Sequence, residues 1–123
     1  MVVDDESLGV ESVARGLRSK GHKVVTVGSA HDALETIVST GGNIDLIVTD
    51  YQMPVMNGID LLKNIRLGER RIPVIIMTAL ADQKIMVEAV KAGCDGFLAK
   101  PFNLDELNWE IEKVRGLSNR RNT

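Results

Sequence analysis

The sequence predicts an α/β domain: a doubly wound parallel sheet of five strands with helices on both faces. Three observations carry this. Short runs of Val, Ile and Leu alternate five times with segments of helical periodicity. The strand runs are apolar without alternation, as in strands covered on both sides. The residues that follow those runs are acidic, basic or hydroxylic, and right-handed crossovers bring such strand ends to one edge of the sheet.

The elements follow in order. Met1–Val3 is a first strand, and a very short one. Ser7–Lys20 is a helix with Val10, Val13 and Leu17 at helical spacing, ended by Gly21. Gly9 and Gly16 weaken it, each by ~1 kcal/mol against alanine. Val24–Val27 is the second strand. Ala30–Ser39 is a helix with Ala33, Leu34, Ile37 and Val38 inward, stopped by Gly41-Gly42. Leu46–Thr49 is the third strand, and it leads straight to Asp50. Gly58–Ile65 is a helix with Ile59, Leu62 and Ile65 inward. Val74–Thr78 is a strand after Pro73. Asp82–Lys91 is a helix closed by Gly93. Gly96–Ala99 is the last strand, before Lys100-Pro101. Asn103–Val114 is the last helix. Asn103 can cap it, Glu106 stands three residues later as in a capping box, and Leu104, Leu107, Ile111 and Val114 make the inward stripe. Residues 118–123 are polar and aperiodic, so residues 1–117 form the domain and 118–123 a tail or the start of a linker.

Composition narrows the function. A chain of 123 residues suits one domain with a real core. A net charge of −2 provides no basic field for nucleic acid, and 3% aromatics provide no base-stacking surface. No apolar run approaches the ~20 residues of a membrane span, and no signal peptide opens the chain. The single cysteine, Cys94, allows no internal disulfide and fits a reducing, cytoplasmic setting.

The chemistry stands at the strand ends. Asp4-Asp5-Glu6 follows the first strand, Asp50 the third, Thr78 closes the fourth, and Lys100 follows the fifth. Taken singly, each has an ordinary explanation: Asp4 or Asp5 as a helix cap, Asp50 as a turn residue, Thr78 as a strand residue, Lys100 as a solvated lysine. Taken together they converge from four strands. Clustered carboxylates repel and raise one another's pKa unless a cation joins them, and hard oxygen ligands with open water positions suit Mg²⁺. Lys100 and the Thr78 hydroxyl can meet phosphoryl oxygens. Asp50 between them can act as a carboxylate nucleophile and form an acyl phosphate.

These motifs resemble the receiver domain of two-component response regulators, of the chemotaxis-regulator kind. The resemblance covers essentially the whole chain: VVDDE at Val2–Glu6, DLIVTDYQMPVMNGIDLL at Asp45–Leu62, VIIMTA at Val74–Ala79 and KAGCDGFLAKPFNLDEL at Lys91–Leu107. It implies a (βα)5 flavodoxin-like sheet in the order 2-1-3-4-5, and a phosphoacceptor rather than an enzyme. It implies that Asp50 accepts a phosphoryl group from a histidine kinase or phosphotransfer domain. Asp5 and Asp50 would ligate Mg²⁺ (or Mn²⁺) directly, Asp4 through water, and Gln52 through its backbone carbonyl. Thr78 and Lys100 would bind the phosphoryl oxygens, and the Lys100–Pro101 bond would be cis. Pro54 would stiffen the loop behind Asp50. Gly58 would take a backbone shape that side chains disfavour, or be a plain loop glycine.

The same resemblance makes Thr78 and Phe97 a switch pair, with Phe97 turning inward as Thr78 moves; the alternative is that Phe97 is core. Gln52 and Leu80 would flank the path of an attacking water and tune the lifetime of the phosphoryl group. Trp109 lies ~200° around the helix from Leu107, so it points outward. It marks the helix 4–strand 5–helix 5 face used by the family for homodimers, output domains or target proteins, or else lies flat on its neighbours. The kinase would dock beside Leu8 and Gly9.

Four departures and rivals bear on the reading. The first strand is short for the family. A haloacid-dehalogenase-like phosphatase needs a second aspartate where Gln52 stands. A dinucleotide or flavin domain needs a glycine-rich loop where Asp4-Asp5-Glu6 stands. A degenerate receiver would lack an acid, the threonine or the lysine, and none is missing.

Overall fold

The computed structural model describes residues 1–79 and 82–121, with side chains as far as Gly116. Its elements are β1 Val2–Val3, α1 Ser7–Ser19, β2 Thr26–Val27, α2 Ala30–Ser39, β3 Ile47–Asp50, α3 Gly58–Arg66, β4 Val74–Thr78, α4 Gln83–Lys91, β5 Gly96–Ala99 and α5 Leu104–Arg121. The sheet order is β2-β1-β3-β4-β5, and every neighbouring pair is parallel. This is the doubly wound (βα)5 sheet that the sequence predicts.

The unbroken apolar strands divide by alternation between two cores. On β4, Val74 and Ile76 face a cluster with Ala30, Ala33, Ile59, Leu62, Ile65 and Ala89 of α2, α3 and α4. Ile75 and Met77 face the other way, onto Val10 and Leu17 of α1 and Leu107, Ile111 and Val114 of α5. The helices start where short polar side chains satisfy their first N–H groups. Ser29 accepts from the Asp32 N–H, Asn57 from Asp60, Asp82 from Ile85 and Asn103 from Glu106. Gly21, Gly41, Gly42 and Gly93 follow helix ends at positive φ.

Several boundaries differ from expectation. β2 is shorter by two residues; it is an edge strand, and Val25 is half exposed there. Val38 is exposed rather than inward, because it stands 100° around α2 from Ile37. Asp50 is the last residue of β3, not the residue after it. α5 continues to Arg121, past Val114 and through the stretch expected to be aperiodic. Val114 is the last buried apolar residue among those whose side chains are described, and an established helix propagates beyond it through Ser, Asn and Arg. Among the described residues, no helix is long and apolar enough to cross a membrane.

The amino end of the sheet is fastened by a buried carboxylate. Asp95, just before β5, accepts from the Val74 backbone N–H at 2.9 Å, Arg66 at 2.9 Å and Arg71 at 2.8 Å. Arg66 also donates to the carbonyls of Gly93 and Ile72. One cluster thus joins the end of α3, the start of β4 and the turn into β5. Asp95→Ala leaves a partly buried guanidinium without its counter-charge, and urea unfolding should show a loss of about 3 kcal/mol.

Candidate functional site

β1, β3 and β5 bring acids and a base to one edge. β1 carries Asp4 just past its end, and the Asp4 backbone N–H still bonds to the Val27 carbonyl of β2. Asp4 is buried, and its Oδ1 accepts from the Glu6 N–H at 3.0 Å. Neither Asp4 nor Asp5 caps α1, whose N-cap is Glu6 without a side-chain bond. Asp4 is held inward while Asp5 stays exposed. Gly9 stands beside the cluster, where a Cβ would make an ordinary contact of 3.4 Å with Asp4 Oδ2.

Asp50 closes β3 and is 7% exposed. The Lys100 ammonium lies 3.3 Å from Asp50 and 3.5 Å from Asp4. One carboxylate oxygen from each of Asp4, Asp5 and Asp50 lies within 4.8 Å of the others. That donor set is all oxygen, multiply charged and open to solvent through Asp5, and it is compatible with a divalent cation. The residues fit the hard ion that the sequence suggests.

The electrostatics follow from this crowding. Burial pushes the Asp50 carboxyl above its ordinary value; Lys100 pulls it down, Asp4 pushes it up, and hydrogen bonds from Lys100 and the Gln52 backbone pull it down again without cancelling the rise. Burial works against the Lys100 charge, but Asp50 and Asp4 together outweigh it and hold the ammonium above the usual lysine value.

Thr78 closes β4, fully buried, and its carbonyl accepts from the Lys100 N–H at 2.8 Å. The Lys100–Pro101 peptide is cis. Gln52 is exposed in the loop after β3. Phe97 on β5 is half buried against the α2–α3–α4 core. Trp109 is exposed, with the Lys113 ammonium 4.7 Å from its ring centre. Leu8, at the start of α1, is almost wholly exposed. Leu80 lies outside the described residues.

A sequence profile described as "Response regulator receiver domain" matches residues 1–112. The chain belongs to the response regulator receiver domain family. Chemotaxis protein CheY-3 of Vibrio cholerae is 38% identical over 93% of this chain and 88% of its own length. Chemotaxis protein CheY of Pseudomonas aeruginosa is 37% identical over 93% of both chains. Transcriptional regulatory protein PrrA of Mycobacterium bovis is 36% identical, and the match spans 98% of this chain but 50% of that protein. A receiver domain structure from Clostridium thermocellum superposes with a TM-score of 0.86 at 30% identity, over 98% of this chain and 94% of that one. The receiver is thus a domain of two-component signalling proteins.

Sequence reasoning misread one residue of this receiver and missed one contact. Gly58 does not need a positive φ. A Cβ there would overlap the Asp50 carbonyl oxygen and lie 3.1 Å from Tyr51 Cα, so glycine is required by close approach. The Gly58 N–H bonds to the Tyr51 carbonyl at 2.8 Å, which draws α3 onto the end of β3. The Glu6 backbone donor to Asp4 has no sequence signal, since every residue carries an N–H. Gly9 was legible both as a weak point of α1 and as a neighbour of the acidic site.

Two outcomes follow for the receiver. Without metal, the raised Asp50 pKa means the folded chain binds more protons than the unfolded one between the ordinary carboxylate value and the raised one. Stability should therefore fall as pH rises through that interval. Asp50→Asn should flatten that fall and be the more stable chain at neutral pH without metal, as pH-dependent thermal melts will show. Gly58→Ala should lose about 1–3 kcal/mol through overpacking against β3 in denaturant unfolding.

Proposed function

We propose that this receiver is a phosphoacceptor, in which Asp50 takes a phosphoryl group from a histidine kinase or phosphotransfer domain and biases the α4–β5–α5 face. The observation that carries the reading is the pairing of a buried, strand-end Asp50 with Lys100 at 3.3 Å beside two further carboxylates.

An ionised Asp50 oxygen attacks the phosphorus of the donor's phosphohistidine. The O–P bond forms as the P–N bond breaks, and the electron pair leaves with the imidazole nitrogen, which takes a proton. Lys100, held between Asp50 and Asp4, offsets the charge of the arriving phosphoryl oxygens. Thr78, tied to Lys100 through the backbone, offers its hydroxyl to another of them. The Asp4, Asp5 and Asp50 carboxylates and the Gln52 backbone carbonyl would hold Mg²⁺ (or Mn²⁺). Bound there, the ion supplies positive charge against the phosphoryl group. The chain modifies its own residue once per donor, so it is a substrate that assists its transfer rather than an enzyme.

The readout is a shift between two states of Thr78 and Phe97, and the half-buried position of Phe97 supports it. Gln52 and Leu80 set how readily water reaches the acyl phosphate. The kinase docks at Leu8 and Gly9, beside the carboxylates. The output is a target protein, an attached domain or a second copy meeting the face that bears Trp109. Residues 1–117 are the working unit, and 118–123 lead out of it.

Incubation with a small phosphodonor and Mg²⁺ should add one phosphoryl group, read by intact mass. Asp50→Asn and metal-free samples should stay unmodified, and Lys100→Ala should label at least about tenfold more slowly. Labelling of Asp50→Asn to the same extent would sink the assignment.

A further inference from the structure

α5 carries a charge pattern that neither the core nor the carboxylate site uses. Between Leu104 and Gly116 it holds Asp105, Glu106, Glu110 and Glu112 against two cations, Lys113 and Arg115. Asp105 and Glu106 sit in the first turn, where the helix dipole favours acids. Glu110 and Glu112 lie beyond that turn, so the dipole does not account for them. Trp109 stands among them, 65% exposed. Asp105 is one turn before it, and Glu112 and Lys113 one turn after, at the spacings that share a helix face.

The chain's own lysine already lies against this surface. The Lys113 ammonium lies 4.7 Å from the Trp109 ring centre and 3.2 Å from the Glu110 carboxylate. Glu110 is itself buried against β5, where a Cβ on Gly96 would come within 2.8 Å of its oxygen. Glu110 is therefore a fixed counter-charge beside an exposed π face. Lys113 is 45% exposed on a flexible stem and can swing into solvent.

We propose that this face docks a protein segment presenting arginine, whose guanidinium replaces Lys113 on the Trp109 ring while neighbouring cations pair with Asp105, Glu106 and Glu112. A planar guanidinium stacks on an indole and binds carboxylates through two parallel N–H groups, which an ammonium cannot do. The docking rests on the receiver reading only for what it signals; its chemistry belongs to α5 itself.

The test uses the full chain with Mg²⁺ and three capped peptides: hexa-arginine, hexa-lysine and hexa-glutamate. Trp109 is the sole tryptophan, so its fluorescence reports the site, and calorimetry reads the variants that lack it. Hexa-arginine should bind at least about fivefold tighter than hexa-lysine, and Trp109→Ala should weaken it by about fivefold or more. Lys113→Gln should tighten it and Glu112→Lys should weaken it. Equal binding of the two cationic peptides, or no loss in Trp109→Ala, overturns the proposal in favour of bulk electrostatics. Self-association that depends on Trp109, seen by sedimentation without peptide, also overturns it by making a second copy the occupant. Phosphodonor labelling is read on the same samples. Labelling without peptide binding defeats the docking site alone, and binding without labelling defeats the phosphoacceptor reading alone.

Discussion

Three carboxylates held with oxygens within 4.8 Å of one another, against a single ammonium, set the terms for the rest of this structure. Like charges at that distance push apart, and a flexible chain would let them. Here the fold limits their separation. Asp4 is buried just past β1 and Asp50 ends β3, while Asp5 beside them stays exposed and Lys100 follows β5. β3 is buried at all four of its residues and paired on both sides, which makes it the stiffest place to mount the central acid. The sheet therefore holds like charges close together, an arrangement that a cation would relieve.

The opposite end of the sheet shows what a satisfied carboxylate looks like. Asp95 has two guanidiniums and a backbone N–H, and its side chain is 6% exposed. Asp50 is comparably buried but shares one ammonium with Asp4. Asp95 is bound on several sides and acts as a fastening. Asp50 keeps a raised pKa and reactive lone pairs. The same residue type is fully satisfied at one edge, and at the other is buried with fewer donors around it.

The helices divide in a similar way. α5 buries Leu107, Ile111 and Val114, whereas α4 buries Ala89 alone and leaves Met86, Val87 and Val90 to solvent. Little apolar burial holds α4 in place. α5 provides the firm side of that face, and the Glu110–Lys113–Trp109 cluster is mounted on it. Phe97 lies on the strand between the two helices, half buried.

Much of this was legible in the amino-acid order alone. The period of apolar residues determined the number, type and sequence of elements, because a strand covered on both faces and an amphipathic helix need different patterns. Helix stops were legible at Gly21, Gly41-Gly42 and Gly93, and the start of α5 at Asn103, since those are local backbone effects. The strand-end positions of Asp4, Asp5, Asp50, Thr78 and Lys100 were legible because polar residues there stand out from apolar runs. Tertiary structure decided whatever depends on distance between segments. It buried Asp4 and exposed Asp5, which are adjacent and identical in kind. It made Gly58 necessary through the nearness of the Asp50 carbonyl rather than through its own φ. It gathered Asp95, Arg66 and Arg71 into one cluster, and it laid Lys113 on Trp109 with Glu110 buried beneath. None of these has a one-dimensional signature, because a charge is defined by its spacing but its energy is set by what the fold places within a few ångströms of it.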